Sequence, residues 1–318
     1  MEEIRSKIKK ILEAKKIETK KLSLLAGDAS NRKYFQFFSS KKNYVIMYDN
    51  DEKSINDFIK VTKILKKFVV VPSIIYDFSK QSILVLENFG PTKYAEIITK
   101  KNRKKIYKLA VDTIFDIQKI KNPKLSKYSL KMFVKESNLF FDWYLNYLNR
   151  NEANVLKKKF NFLFKSYFAY AEDIPQVLVH RDFHIDNLFY LSKPKSIKCG
   201  LIDYQDAVIG PCAYDLVSLT QDARIDVPKQ LEHELINYFL KGNLKIKRKK
   251  FMISYNLLAI QRHMKVLGIF NRLSLRDNKD QYLQHLPRVK RMLYENLKKE
   301  KFEEFNSLLS PLLNYVRH

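Results

Sequence analysis

The run His180-Arg181-Asp182-Phe183-His184-Ile185-Asp186-Asn187-Leu188, followed by Leu201-Ile202-Asp203, constrains this chain more than any other stretch. It has the form H-R-D-x-x-x-x-N with a further aspartate at the end of a later strand, a spacing suited to phosphoryl transfer. That chemistry asks the protein for an aligned hydroxyl and a neutralised triphosphate and for little covalent help. Asp182 is the candidate for accepting or orienting the hydroxyl proton. Asn187, five residues on, is far enough along a loop to turn its carbonyl oxygen toward Mg²⁺. Asp203 offers the hard anionic oxygen that this ion takes beside phosphate and water. Two other readings compete. His180 and His184, four apart, would share a helix face as a zinc pair, but the Glu of H-E-x-x-H and a third ligand at a familiar offset are missing. An ordinary strand-turn-strand with solvated polar residues leaves the joint match of His180, Arg181, Asp182, Asn187 and Asp203 unexplained.

A chain of 318 residues with 46% hydrophobic content can bury a full core and is expected to fold as two lobes or domains. It contains no apolar run of about 18 residues, and the start, Met1-Glu2-Glu3-Ile4-Arg5, lacks the order of a secretion signal. The expected location is the cytoplasm. Cys199 and Cys212 match no zinc spacing, and reduced thiols fit that compartment. The net charge of +26 would suit a nucleic-acid or anionic-membrane partner. However, only 13 of the 60 basic residues are Arg, and Lys is spread over the whole length with Ile and Asn, as an AT-rich coding bias also produces. The densest run, Lys245-Ile246-Lys247-Arg248-Lys249-Lys250, reads as a solvated turn or helix start. Neither nucleic acid nor membrane is therefore expected as a partner, and a monomer is.

Along the chain, Ile4, Ile8, Ile11 and Leu12 predict an amphipathic helix from about Glu2 to Ile17, for packing on a lobe or lying on a membrane surface. A strand over Lys21 to Leu25 leads into Ala26-Gly27-Asp28-Ala29-Ser30-Asn31, and Arg32 to Phe38 with Asn43 to Tyr48 alternate as a hairpin. The small-residue loop is either a plain hairpin turn or a phosphate-covering loop, in which Gly27 and Ala29 let backbone N–H groups approach and Ser30 adds a donor. Ser54 to Phe68 predicts a helix, and Ser73 to Tyr76 with Ser82 to Glu87 two strands. Glu87-Asn88-Phe89-Gly90 is either a simple connection or a hinge whose backbone at Asn88 and Phe89 bonds an adenine edge. Helices follow at about 101–120, 129–148 and 152–170, the last broken at Ile174-Pro175. Strands at Leu188 to Tyr190 and Ile197 to Ile202 bring Asn187 and Asp203 to one end of a hairpin. Gly210-Pro211 comes soon after Asp203 and leaves no room for a long activation segment, so a small molecule is the expected acceptor. Helices resume at about 212–221, 229–241, 249–272 and 279–315, the last broken near Pro287 and Leu309 to Pro311.

Taken together these residues resemble the aminoglycoside and choline kinase-like phosphotransferase superfamily, and within it the bacterial anomeric N-acetylmuramate and N-acetylglucosamine kinases. Besides the catalytic run, the resemblance is carried by Ala26 to Ser30 with Tyr34-Phe35, Leu86 to Gly90, Asp142-Trp143-Tyr144-Leu145, Ile202 to Ala207, Tyr214-Asp215-Leu216, Gln221-Asp222-Ala223-Arg224, and Gln261-Arg262 through Lys265-Val266-Leu267-Gly268-Ile269-Phe270. It implies an α+β, two-lobed, protein-kinase-like fold. Residues 1–88 would form a small antiparallel β-sheet lobe binding nucleotide, and residues 89–318 a larger, mainly helical catalytic and substrate lobe. It also implies ATP and Mg²⁺ as cofactors and a sugar as partner, with phosphorylation at C1 in cell-wall recycling. Choline, ethanolamine, an aminoglycoside or another sugar is the alternative acceptor. Asp182 would then be the base, Asn187 and Asp203 the metal ligands. Gly27, Asp28, Ala29, Ser30, Asn31, Arg32, Glu87, Asn88 and Phe89 would lie on the nucleotide, and His184, Asp206, Asp222, Arg224 and Arg262 on the sugar. These acceptor-side acids and arginines equally suit helix caps or salt bridges. Asp215 reads as structural. One departure stands out: the strand Tyr44-Val45-Ile46-Met47-Tyr48 carries no phosphate-pairing lysine, as in the sugar kinases it resembles. Arg32 or Lys33 is the candidate replacement.

Overall fold

The computed structural model describes residues 1–26, 32–194, 196–242 and 246–313. In chain order the elements are α1 (Glu2–Ala14), β1 (Lys20–Ala26), β2 (Lys33–Ser39), β3 (Lys42–Tyr48), α2 (Glu52–Leu65), β4 (Ile74–Phe78), β5 (Ile83–Glu87) and α3 (Tyr94–Ile97). Next come α4 (Arg103–Gln118), α5 (Leu130–Leu139), α6 (Arg150–Tyr167), α7 (Ala169–Glu172), β6 (Gln176–Val179), β7 (Leu188–Lys193), β8 (Ser196–Leu201) and β9 (Val208–Pro211). The chain ends in α8 (Tyr214–Thr220), α9 (Lys229–Gly242), α10 (Arg248–Asp277), α11 (Leu286–Leu297) and α12 (Glu303–Leu313). Two compact units result, Met1–Thr99 with Asp186–Asp206, and Lys100–Ile185 with Ala207–His318. An antiparallel sheet near the N-terminus and a mainly helical remainder make this the α+β class expected from the sequence.

In the first unit the sheet runs β1-β2-β3-β5-β4. Strands β2 and β3 pair without a slip from Lys33↔Tyr48 to Ser39↔Lys42, because alternate residues Phe35, Phe37, Ile46 and Tyr48 face one way. Ile8 and Leu12, one helical turn apart on α1, bury that face together with Ile83 and Val85. The apolar stripe of the N-terminal helix is thus spent on the sheet. Asp51 caps α2 by accepting from Lys53 and Ser54 backbone N–H groups, a cap worth about 1 kcal/mol. The β7–β8 hairpin is longer than the sequence predicts, pairing from Leu188↔Leu201 to Lys193↔Ser196. It is tied down by Leu201 N donating to Val70 O at 2.9 Å and Tyr190 N to Thr92 O at 2.8 Å. A Cβ at Gly200 would lie 2.7 Å from the Phe89 ring, so the close approach requires glycine.

The second unit packs helices around α10. Residues Ser254 through Gly268 of this helix are buried on every side, including Gln261, Arg262, His263 and Lys265. Gly268 lets its backbone touch the end of α5, since a Cβ there would meet the Leu139 carbonyl carbon at 2.3 Å. At that point α5 gives way to a π turn over Phe140–Tyr144, so the expected helix 129–148 stops early. Phe133, Phe160, Phe164 and Phe305 stack between α5, α6 and α12. Strands β6 and β9, four residues each, pair from Gln176↔Pro211 to Val179↔Val208; they are too short to show a pattern in sequence. The last helix also needs correcting. Pro287 starts α11 instead of breaking it, since a first-turn N–H has no helical partner to lose. Pro311 sits inside the last turns of α12, and the interruption comes earlier, around Lys301 with φ +81°. Among the described residues no helix is long and apolar enough to cross a membrane.

Candidate active site

In the second unit, β6 delivers the loop that begins at His180. Asp215, in the first turn of α8, accepts from His180 N at 2.8 Å and Arg181 N at 3.0 Å, the structural role expected of it. Arg181 takes a left-handed backbone, φ +75°, which strains a side-chain-bearing residue by about 1–2 kcal/mol. Four side chains hold it there. Besides Asp215 on its N–H, Arg262 Nη1 and Ser218 Oγ donate to its carbonyl at 3.1 and 3.4 Å, and Glu136 of α5 accepts from its guanidinium. Asp182 follows with its side chain 32% exposed, Oδ1 lying 3.9 Å from Arg262 Nη1. The loop closes with His184 N on Asp182 O at 3.0 Å and Ile185 N on Asp222 Oδ2 at 3.1 Å.

Charge in this unit is unevenly shared. Burial works against an ionised Asp182, but Lys265 and Arg262 outweigh it and, with Arg181, hold the carboxyl well below the usual carboxylate range. Asp182 is therefore an anion at any physiological pH. Burial, reinforced by Arg224, pushes His184 well below the ordinary imidazole value, so its ring is neutral. Burial also opposes ionisation of Glu136, yet Lys265 and Arg181 and hydrogen bonds from Tyr128 and Gln261 bring it below the usual range. Asp222 is raised by burial, although Arg224 and the N–H groups of Arg224 and Ile185 act the other way.

In the first unit, the β7–β8 register puts Asn187 and Asp203 at one end of the hairpin, with Ile202 N donating to Asn187 O at 3.1 Å. Asp203 is also left-handed, φ +61°. The next residue anchors it: Tyr204 stacks on Phe58 of α2 with centroids 5.0 Å apart, and its hydroxyl lies 2.9 Å from Thr62 Oγ1. Gln205 Nε2 donates to Asp203 Oδ1 at 3.0 Å and to the exposed Asp206 at 3.3 Å. The Asp203 side chain remains 42% exposed. Arg32 joins this group. Its Nε donates to Asp49 Oδ2 at 3.2 Å, its Nη2 to Ser54 Oγ at 2.8 Å, and its Nη1 reaches Asp203 Oδ1 at 3.5 Å.

At the end of β5, Glu87 Oε2 accepts from Ser73 N at 3.2 Å, and Asn88 Oδ1 accepts from Gly90 N at 2.8 Å, with Gly90 at φ +80°. Phe89 meets Phe189 edge-on at 5.5 Å. The side chains of this segment thus build a turn against β7. Gly27, Asp28, Ala29, Ser30 and Asn31 lie outside the described residues.

Sequence reasoning missed Glu136, Asp49 and Ser54. One signal was available for the first: Glu136 falls on the apolar stripe of α5, between the buried Phe133 and Phe140, where a charge needs a buried partner. Asp49 and Ser54 meet Arg32 only through the hairpin and the α2 cap, which spacing does not reveal.

The family model described as "Phosphotransferase enzyme family" matches residues 21–247. The chain is 30% identical over 298 residues to the N-acetylmuramate/N-acetylglucosamine kinase of Pseudomonas aeruginosa, covering 90% of this chain and 87% of that one. It is also 30% identical over 288 residues to the kinase of the same name from Neisseria meningitidis serogroup B, covering 84% and 83%. Among solved structures it resembles the choline kinase LicA from Streptococcus pneumoniae, with TM-score 0.66 at 15% identity over 92% of this chain and 99% of that one. An ADP-bound aminoglycoside phosphotransferase gives TM-score 0.63 at 12% identity over 92% and 98%, so the fold is kinase-like. With most of its length matched, the chain belongs to the phosphotransferase enzyme family.

Proposed function

We propose that this enzyme transfers the γ-phosphoryl group of ATP to the anomeric C1 hydroxyl of N-acetylmuramic acid or N-acetylglucosamine, as a step of cell-wall recycling. The observation that carries this reading is the near full-length likeness to kinases named for those two sugars, in a chain whose sequence has Asp182, Asn187 and Asp203 at the motif's spacing. Asp182 would orient the hydroxyl and take its proton as the oxygen–phosphorus bond forms and the bond to the bridging β–γ oxygen breaks. A carboxylate held so far below its usual range is a weak base, which suits a loose transition state needing little early deprotonation, and an anomeric hydroxyl, more acidic than an ordinary alcohol. Asn187 and Asp203 fit Mg²⁺: an amide and a half-exposed carboxylate at one hairpin end are the hard oxygen donors it takes. The metal would supply charge neutralisation on the phosphates.

On the same proposal, residues 1–88 serve the nucleotide, with Arg32 pairing phosphate in place of the missing lysine and Glu87, Asn88 and Phe89 beside the adenine. Residues 89–318 serve the sugar. There His184, Asp206 and Arg224 are the candidates, while Asp222 holds the backbone at Ile185 and Arg224, and Arg262 the carbonyl of Arg181. The enzyme would act as a cytoplasmic monomer. A cationic acceptor such as choline or an aminoglycoside fits poorly, because Lys265, Arg262 and Arg181 all press on Asp182. The deciding experiment incubates the enzyme with Mg-ATP and a panel of sugars and amino alcohols. ATP consumption should be matched by loss of reducing sugar, since phosphorylation at C1 removes the reducing end; consumption without that loss overturns the C1 assignment.

A further inference from the structure

Glu136 is a carboxylate with every oxygen in use. Arg181 Nη2 and Lys265 Nζ, the latter at 3.2 Å, donate to Oε1, and Tyr128 Oη and Gln261 Nε2, the latter at 3.1 Å, donate to Oε2. An apolar residue of similar shape fills such a space at less cost than a buried ion cluster, so packing alone does not account for it. Two of its partners bear directly on Asp182. Arg181 is the preceding residue and sits at φ +75°, its backbone held by Asp215 and Arg262 and its far end by Glu136. Lys265 stands one turn along α10 from Arg262, on the same helix face, and both cations attract the Asp182 carboxylate.

We propose that Glu136 is a positioning residue for Asp182: it anchors the strained Arg181 through the guanidinium and holds the Lys265 ammonium back from closing onto the catalytic carboxylate. Released from Glu136, Lys265 has Asp182 as an anionic alternative, and a closed pair between them takes from Asp182 the oxygen that must face the acceptor hydroxyl. Released from Glu136, Arg181 relaxes toward ordinary backbone and turns Asp182 away. The proposal rests on Asp182 being the group that orients that hydroxyl.

The test is steady-state kinetics on the full chain, with thermal melting to confirm folding. Glu136→Gln is expected to lower kcat about 100-fold, the scale of an ångström-sized misplacement, while KM for ATP stays within about twofold. Adding Lys265→Met to that variant removes the freed ammonium and should recover about tenfold in kcat. Independently, Arg181→Gly should keep kcat about tenfold above Arg181→Ala, because only glycine adopts the left-handed backbone without an anchor. A folded Glu136→Gln protein with kcat within about threefold of the parent overturns the proposal. So do equal rates for Arg181→Gly and Arg181→Ala, and that pair decides if Glu136→Gln does not fold. Asp182→Asn separates the two levels. If it abolishes turnover while Glu136→Gln does not, the positioning role fails alone; if it retains turnover, the underlying reading of Asp182 fails with it.

Discussion

Arg32 in the first unit, buried, and Arg181 in the second, largely buried, are both arginines clamped by a carboxylate beside a candidate site residue, yet their surroundings have opposite sign. Around Arg32 the acids prevail: Asp49 and Asp203 face one guanidinium. Around the Arg181 side chain the bases prevail: Arg181, Lys265 and Arg262 gather on Glu136 and Asp182, while Asp215 is taken up by backbone N–H groups. On the proposed function, the acid-rich cluster would receive the divalent cation at Asp203, and its arginine would then be released toward phosphate. A base-rich cluster keeps Asp182 ionised and favours an uncharged or anionic acceptor. Arginine itself specifies neither role; the count of its neighbours does.

That contrast can be broken at several points. Asp203→Ala removes the exposed acid of the first cluster, and the Mg²⁺ concentration for half-maximal activity should rise about 100-fold or more. A metal titration that is unchanged would remove Asp203 from the metal site. Arg32→Ala should raise KM for ATP about tenfold, the scale of one lost charge-assisted hydrogen bond, with Lys33→Ala as the comparison. Unchanged ATP KM and kcat in Arg32→Ala would leave the missing lysine without a substitute. A further effect is on stability and belongs to the second unit, because all the histidines, at 180, 184, 233, 263, 285 and 318, lie in its part of the chain. His263 is pushed down to about 3, by burial and then by Arg262 and Lys229, and its Nε2 lies 2.8 Å from Gln221 Oε1. The unfolded chain takes up this proton below about pH 6.5 and the folded one does not. Stability is therefore full above that value and lost as pH falls toward 3, by about 2 kcal/mol between pH 7 and pH 5. Urea melts at the two pH values check this, and His263→Gln should reduce the difference by that amount, leaving the share of His184.

Much of the candidate site could be proposed from sequence because covalent spacing carries it. His180 to Asn187 and Asp203 need no tertiary information to be recognised, and the alternation of Phe35, Phe37, Ile46 and Tyr48 is enough to announce a sheet. What stayed hidden depends on who meets whom. The partners of Arg32 stand 17 and 22 residues away, and Glu136 is 129 residues from Lys265. Such pairs exist only once helices have packed. Strands β6 and β9 hid for a different reason, being too brief to show a period, and Pro311 misled because a proline near a helix end is tolerated more readily than one at its centre. The acceptor-side arginines were legible as charges and not as roles: Arg262 turned out to bond the Arg181 carbonyl.

Gly268 has no functional group, yet the contact between Glu136 on α5 and Lys265 on α10 depends on how closely those two helices approach at Leu139. A single added methyl would wedge them apart and stretch an ion pair that lies a turn away. In a saturation screen scored by turnover, this position should therefore rank with the acids of the motif while displaying no chemistry of its own. An engineer filling gaps to raise heat resistance would do best to leave it untouched.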